Sequence, residues 1–381
     1  MISLPKFISF WKMRASFAEV GGPINYTGLT PGTVTDPMKG GVINPISVYP
    51  FPNFKAEQTK SYELGTNLRL FNNKINIDAT VYLTDTYNQT FLSSMSPASG
   101  YSGFYVQAGK VRNKGIELSL GYNDQFGKVG YATNLTYTAN RNKIMKMVHD
   151  YKNPSDGSLF SITELTLQDK GGVYLREKDA IGDVYVKGIL ARGKDGKLIE
   201  EEGGYKVDRS QRIKIGSVNP DFSIGWRHNV TWNNITLDLL FNGRFGGLVT
   251  SSTQAFLDDY GVSKDTYKAR QNGGVWVNGT QYDAEKYYTT IGGEQLMAYY
   301  AYKATNIRLQ EASLSYTLPG KWFGNVINRL TVSAIGRNLW MIYNKAPFDP
   351  EMTSSTGTYN RGDVFMPPSL RSVGFSVKIE L

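Results

Sequence analysis

The chain closes on a two-residue rhythm in which Val373, Phe375, Val377, Ile379 and Leu381 alternate with Gly374, Ser376, Lys378 and Glu380. Successive side chains of a strand point to opposite faces, so this stretch predicts a strand with one wholly apolar face. The rhythm recurs upstream. Trp11, Met13, Ala15 and Phe17 oppose Lys12, Arg14 and Ser16, and Tyr62, Leu64, Thr66, Leu68 and Leu70 oppose Glu63, Gly65, Asn67 and Arg69. A turn at Asn72-Asn73-Lys74 then leads into Ile75, Ile77, Ala79, Val81 and Leu83. Asn tolerates positive φ, so residues 62–83 predict a hairpin. Further alternating stretches cover 116–122, 129–137, 222–232, 235–241, 312–318 and 330–334, with short turns around Gly127 and at Asn233-Asn234.

About ten strands result, near the ~9–11 residues a tilted bilayer crossing needs. The connections sort by length. Residues 88–112, 141–219, 246–304 and 341–369 read as long loops, the second with turns at Asp195-Gly196 and Gly203-Gly204, and the links between them are tight. With the C terminus periplasmic, every long connection falls outside and every short one inside, as in outer-membrane barrels. A soluble sandwich alternates too, but has no reason to sort its loops this way. Glu63, Arg69, Asp78, Glu117, Arg227, Asp238, Lys378 and Glu380 all fall on the polar face. On a lipid face near the midplane an Arg or Lys would cost roughly 2–4 kcal/mol and an Asp or Glu less. His228 alone stands at an outward position, and is expected near a membrane interface.

Composition agrees with a Tyr-rich all-β protein: 381 residues, 40 Gly, 25 Tyr, 18 Phe and a hydrophobic fraction of 40%. No apolar run approaches the ~18 residues of a membrane helix. Any bilayer crossing must therefore use a closed sheet, because hydrocarbon leaves unpaired backbone groups unsatisfied. Cys is absent, which removes disulfides and thiolate sites, and His149 and His228 are too few for a histidine-rich metal site. No metal and no cofactor are expected. The net charge of +9 comes from scattered Lys and Arg, which suits lipopolysaccharide-facing or lumen-facing surfaces and gives no nucleic-acid patch. Met1-Ile2-Ser3-Leu4-Pro5 has no basic start or apolar run of a leader, and an envelope protein needs one. The chain is accordingly expected to be a fragment whose beginning lies upstream.

Catalysis finds no support. Glu200-Glu201-Glu202 and Asp258-Asp259 are adjacent in polar loops, whereas a glycosidase needs two carboxylates opposed across a cleft. No nucleophile elbow, P-loop or zinc-protease motif occurs, so no catalytic residue is assigned and the chain is read as a non-enzyme.

Several motifs together resemble the SusC/RagA-type TonB-linked outer-membrane transporters. They are Lys12-Met13-Arg14-Ala15-Ser16-Phe17, the stretch from Ala56 to Gly65, Asn113-Lys114-Gly115-Ile116-Glu117-Leu118, and Asn219-Pro220-Asp221-Phe222. Arg308-Leu309 running into Leu314-Ser315-Tyr316-Thr317-Leu318-Pro319, Gly336-Arg337-Asn338-Leu339-Trp340, and Asp349-Pro350-Glu351 complete the set in the family's order. Members of that family are barrels of ~22 strands around an N-terminal plug. The resemblance implies that residues 1–381 are the C-terminal ten or so antiparallel strands of a large transmembrane β-barrel, open or incompletely closed, with long extracellular loops. The resemblance further implies that signal peptide, TonB box and plug lie outside this chain and that Leu381 stands where the family usually has a terminal aromatic. Two open edges follow, near residues 10–20 and 372–381.

The function implied by the resemblance is import of an oligosaccharide or peptide across the outer membrane of a Gram-negative, Bacteroidetes-like cell. The partners it implies are outer-membrane lipid, a SusD-like surface lipoprotein, and the TonB complex through the missing N-terminal part. Tyr260, Tyr267, Trp276, Tyr282, Tyr287 and Tyr288 are candidate substrate contacts, since aromatic faces suit sugar rings. Loop packing or an interfacial aromatic girdle explains the same residues. Val373, Phe375, Val377, Ile379 and Leu381 are candidates for barrel assembly. Glu63 and Glu117, beside Gly65 and Gly115, read as wall packing, and Asp349-Pro350-Glu351 as a rigid turn with a calcium or substrate site as the rival. A non-transporting surface glycan-binding or adhesion barrel is the alternative to transport.

Overall fold

The computed structural model describes residues 5–23, 34–36, 42–44, 48–49, 55–94, 96–101, 103–152, 157–167, 173–324, 326–354 and 362–381. Ten strands form one sheet: β1 (Ile8–Gly22), β2 (Glu57–Leu70), β3 (Ile75–Tyr87), β4 (Lys110–Phe126), β5 (Val129–Lys146), β6 (Phe222–Trp232), β7 (Ile235–Phe245), β8 (Asn306–Pro319), β9 (Arg329–Asn344) and β10 (Ser372–Glu380). Order in the sheet follows order in the chain, and every neighbouring pair is antiparallel. The sheet is a simple meander. Among the described residues β1 and β10 each have one partner, so the wall stays open along the two edges expected of it.

Register makes the alternation collective. Phe17 lies opposite Tyr62, which lies opposite Leu83. Leu135 lies opposite both Leu120 and Trp226, and Val332 opposite both Tyr316 and Val377. A slip of one residue in any ladder would turn that strand's apolar set to the other face, so the shared face fixes every register. The apolar face is not a core: Phe17, Leu64, Trp226 and Leu314 are exposed, and Phe375 is 84% exposed. Opposite it, Arg14 pairs with Asp78 at 2.6 Å, Arg337 with Glu311 at 2.9 Å, and Arg227 with Asp238 at 3.4 Å. Gly115 makes room on that face, since a Cβ there would lie 2.5 Å from both the Tyr82 hydroxyl and the Ala139 carbonyl. Its neighbour Glu117 stays on the same polar face.

Connections sort as the pattern predicts. At one end lie residues 71–74, 127–128 and 233–234 and the described residues 320–324 and 326–328; Asn72, Asn73, Gly127 and Asn233 take the positive φ these turns need. At the other end lie the long segments, and their described residues are more ordered than loops. Strands Gln89–Ser94 and Gly103–Ala108 pair within 88–112, and Asp183–Leu190 pairs with Val207–Ser217. The stretch 246–304, read as a polar loop, contains three helices: α1 (Ser252–Asp259), α2 (Lys264–Gln271) and α3 (Ala284–Gly293). Two dry cores result, one around Val106, Ile144, Met147 and Leu167, the other around Leu190, Ala255, Ile291 and Tyr300.

Two local details are added. His228 sits within β6, five positions before the Asn233 turn. Its Nδ1 is 2.9 Å from the Tyr131 hydroxyl and its ring lies 4.2 Å from Trp226, so it packs in an aromatic nest. The terminal strand stops at Glu380, leaving Leu381 one residue beyond it.

Candidate functional site

Polar chemistry gathers in two places at the long-loop end. The first is a cavity of about 380 Å³ on the polar face, where Thr136, Ser223, Asn242 and Gln310 meet Arg244 and Glu351. Beneath it Arg308 donates to Asp349 through two guanidinium nitrogens, at 2.7 and 3.2 Å, with both side chains only 8% exposed. Asn306 accepts from Arg308 and donates to the Glu351 carboxylate. Burial would raise the Asp349 carboxyl, but hydrogen bonds from Arg308 and Ser369 and from the Glu351 amide outweigh it and hold the group below its usual range.

A bulge at Gln310 creates this site. Glu311 pairs with Leu240 while Leu309 pairs with Phe241, so parity flips. Below the bulge Ala312, Leu314 and Tyr316 face outward; above it Leu309 and Ile307 do, which turns Arg308 and Asn306 inward. Asn338, in the left-handed conformation, marks the matching irregularity in β9 and donates to Ser369 at 2.8 Å. Three of the sequence motifs therefore belong to one network: Arg308, Asn338, Asp349 and Glu351 sit together although they span 44 positions. Asp349-Pro350-Glu351 is part of a buried ion-pair network.

The second place is the helical lobe. Ser251, Ser263 and Asp283 cap α1, α2 and α3 by accepting from the Gln254, Thr266 and Lys286 amides. Those caps are the missed signal, since Ser, Ser and Asp each stand just before a helix. Gly292 lets α3 approach α1, because a Cβ there would be 2.5 Å from the Ala255 carbonyl. A cavity of about 480 Å³ opens between the helices, lined by Asp259, Tyr260, Arg270, Asp283, Glu285 and Tyr288.

The lobe divides the six aromatic candidates. Tyr260, Tyr267 and Trp276 are exposed, Trp276 by 62%. Tyr282 is 7% exposed, its hydroxyl accepting from the Leu198 amide at 3.0 Å and its ring edge-on to Tyr205. Tyr287 and Tyr288 are half-buried against the same core and against each other. Burial pushes both hydroxyls up to about 12, so they remain neutral donors. Burial likewise raises Tyr300 far above the ordinary phenol range and raises Asp258. Only three of the six present a free ring to solvent.

The acidic runs are structural. Glu201 pairs with Lys206 and Glu200 with Lys286, while Asp258 accepts from Gln254. His149 pairs with Glu177, whose carboxyl is held at about 2 by His149, the Met147 amide and Lys178 against the opposing effect of burial. Among the described residues no group of three or more His, Asp or Glu side chains could hold a metal ion. No helix among them is long and apolar enough to cross a membrane.

Residues 6–175 match the family described as TonB dependent receptor-like, beta-barrel. TonB-dependent receptor P3 of Formosa agariphila is 25% identical over 373 residues, covering 90% of this chain and 36% of the relative. TonB-dependent receptor P39 of the same organism is 21% identical over 415 residues, covering 95% and 38%. Among solved structures, the RagAB peptide transporter superposes with a TM-score of 0.72 at 17% identity, over 99% of this chain and 41% of that one. The RagAB peptide importer in its closed-closed state gives 0.74 at 18% identity, with the same coverage. The chain thus spans between 36% and 41% of the length of these relatives. The resemblance drawn from the motifs and the β-barrel fold class are both borne out, and the family matched is one of receptors, not of enzymes.

Proposed function

We infer that this chain, a TonB-dependent receptor barrel portion of the SusC/RagA type, forms wall and outer loops of a transporter that imports nutrients across the outer membrane of a Gram-negative, Bacteroidetes-like cell. The observation that carries this reading is the ten-stranded meander with one exposed apolar face and one charged face. Water would drive such an apolar face into a core, whereas hydrocarbon solvates it. The apolar face meets lipid and the charged face lines the lumen.

The cargo is an oligosaccharide or a peptide. Tyr260, Tyr267 and Trp276 offer the exposed faces for it, with Tyr282, Tyr287 and Tyr288 as the layer that positions them. A SusD-like surface lipoprotein at the long-loop end and the TonB complex on the opposite side are the proposed partners. Val373, Phe375, Val377, Ile379 and Leu381 serve barrel assembly at the edge strand.

Uptake of labelled oligosaccharides and peptides by cells with and without the receptor, each with and without a protonophore, tests the reading. Transport predicts receptor-dependent accumulation that collapses with the proton-motive force. Receptor-dependent surface binding with no energised accumulation would instead establish the adhesion alternative.

A further inference from the structure

The segment joining β9 to β10 is bound at both ends by groups that the import reading leaves unused. We propose that its described stretches, residues 345–354 and 362–371, form a strap that locks the helical lobe to the barrel wall, with the Arg308–Asp349 pair as its fastening.

At the wall, Asp349 receives Arg308 from β8 and the hydroxyl of Ser369 from the returning leg, while Asn338 of β9 donates to Ser369 and to the Leu370 carbonyl. Both legs of the strap therefore converge on one carboxylate. Asn344 shapes the outgoing leg by donating to the Ala346 and Phe348 carbonyls. Beyond the fastening, Ser354 donates through its amide and its hydroxyl to the Gly362 carbonyl, joining the two legs directly.

At the lobe, Gly362 and Asp363 pair in parallel with Thr250 and Ser251. The Ser251 hydroxyl donates to Asp363 at 2.6 Å while accepting from the Gln254 amide, so the side chain that caps α1 is itself held by the strap. The Phe365 amide donates to Thr253, and its ring stacks on Phe256 at 5.4 Å. Ser251 is fully buried and Asp363 nearly so. A continuous path runs from the guanidinium on the wall to the first turn of α1. A carboxylate left unpaired at 8% exposure is strongly disfavoured, so releasing the fastening requires its leg to be exposed to water.

The test is hydrogen exchange on the intact receptor in outer membranes, read at the amides of α1. Asp349→Asn should lower α1 protection at least tenfold, and Asp363→Asn should do the same from the other end. Because the two act in series, the double variant should lose no more than about twice the larger single loss. Arg337→Gln breaks an exposed pair between β9 and β8 that makes none of the strap's own contacts, and should leave α1 unchanged. Unchanged α1 protection in Asp349→Asn, multiplying losses in the double variant, or an equal loss in Arg337→Gln would each overturn the proposal. Should Asp349→Asn fail to assemble, Ser369→Ala keeps the ion pair and removes one leg; a threefold loss at α1 supports the strap and no loss rejects it.

Discussion

Asp349 shows how one residue's chemistry sets a pH window. Its carboxyl is held below the ordinary 3.8 by Arg308, so its contribution to stability is complete above 3.8 and is lost as pH falls through the lower native value. Protease cleavage of the 345–354 leg should therefore stay constant from neutrality to about pH 5 and rise only in stronger acid. Asp349→Asn should cleave readily at every pH, since removing one partner of a buried pair costs ~3–5 kcal/mol. Gly115 is sensitive for a different reason: its missing Cβ is occupied by a backbone carbonyl and a phenol. Gly115→Val should cost roughly 1–3 kcal/mol by overpacking, measured as a lower temperature for loss of the heat-modifiable barrel band.

Elements decide which aromatic residues can meet a ligand. α1–α3 bury Tyr282 in the lobe and leave Trp276 on a short hairpin outside it. Tyr282→Ala should cost the lobe about 3 kcal/mol or more, seen as loss of α1–α3 protection in hydrogen exchange. Trp276→Ala should leave that protection intact while weakening cargo binding about fivefold, the loss of one stacking contact of ~1 kcal/mol. A binding isotherm unchanged by Trp276→Ala would remove that residue from the site. The caps explain why helices form where a loop was expected: each starts a helix that tertiary burial then holds, at Ala255 in α1, Ala269 in α2 and Ile291 in α3.

Among the described residues the ten-stranded sheet is an open wall, and its two faces carry different tolerances. Val377→Arg on the apolar face should cost ~2–4 kcal/mol at mid-membrane and cut the amount of assembled receptor, whereas Ser376→Arg on the polar face of the same strand should assemble normally. Equal damage from both would contradict lipid contact at Val377. Orientation is open to labelling as well. In the intact receptor on whole cells, cysteines at Gly157 and Tyr260 should react with impermeant reagents and one at Asn73 should not. Tyr282, buried in the lobe, would be a poor reporter of sidedness.

Sequence alone determined the strands, the turns and the sorting of connections, because a strand's period of two is local and a one-sided environment writes it into every residue. The expected stretch 116–122 lies within β4, and 222–232 coincides with β6. Most family motifs were legible for the same reason, lying on a strand or at its end, whereas Asp349-Pro350-Glu351 lies in the connection between β9 and β10. Only the tertiary structure decided what happens above the Gln310 bulge, where parity reverses and the motifs Arg308, Asn338 and Asp349 meet. A bulge has no period to read, and a contact between residues 41 positions apart is set by how three strands and a returning leg pack. The lobe's aromatics divided on the same principle: composition marked them as a group, and burial, which no single residue encodes, separated Tyr282 from Trp276.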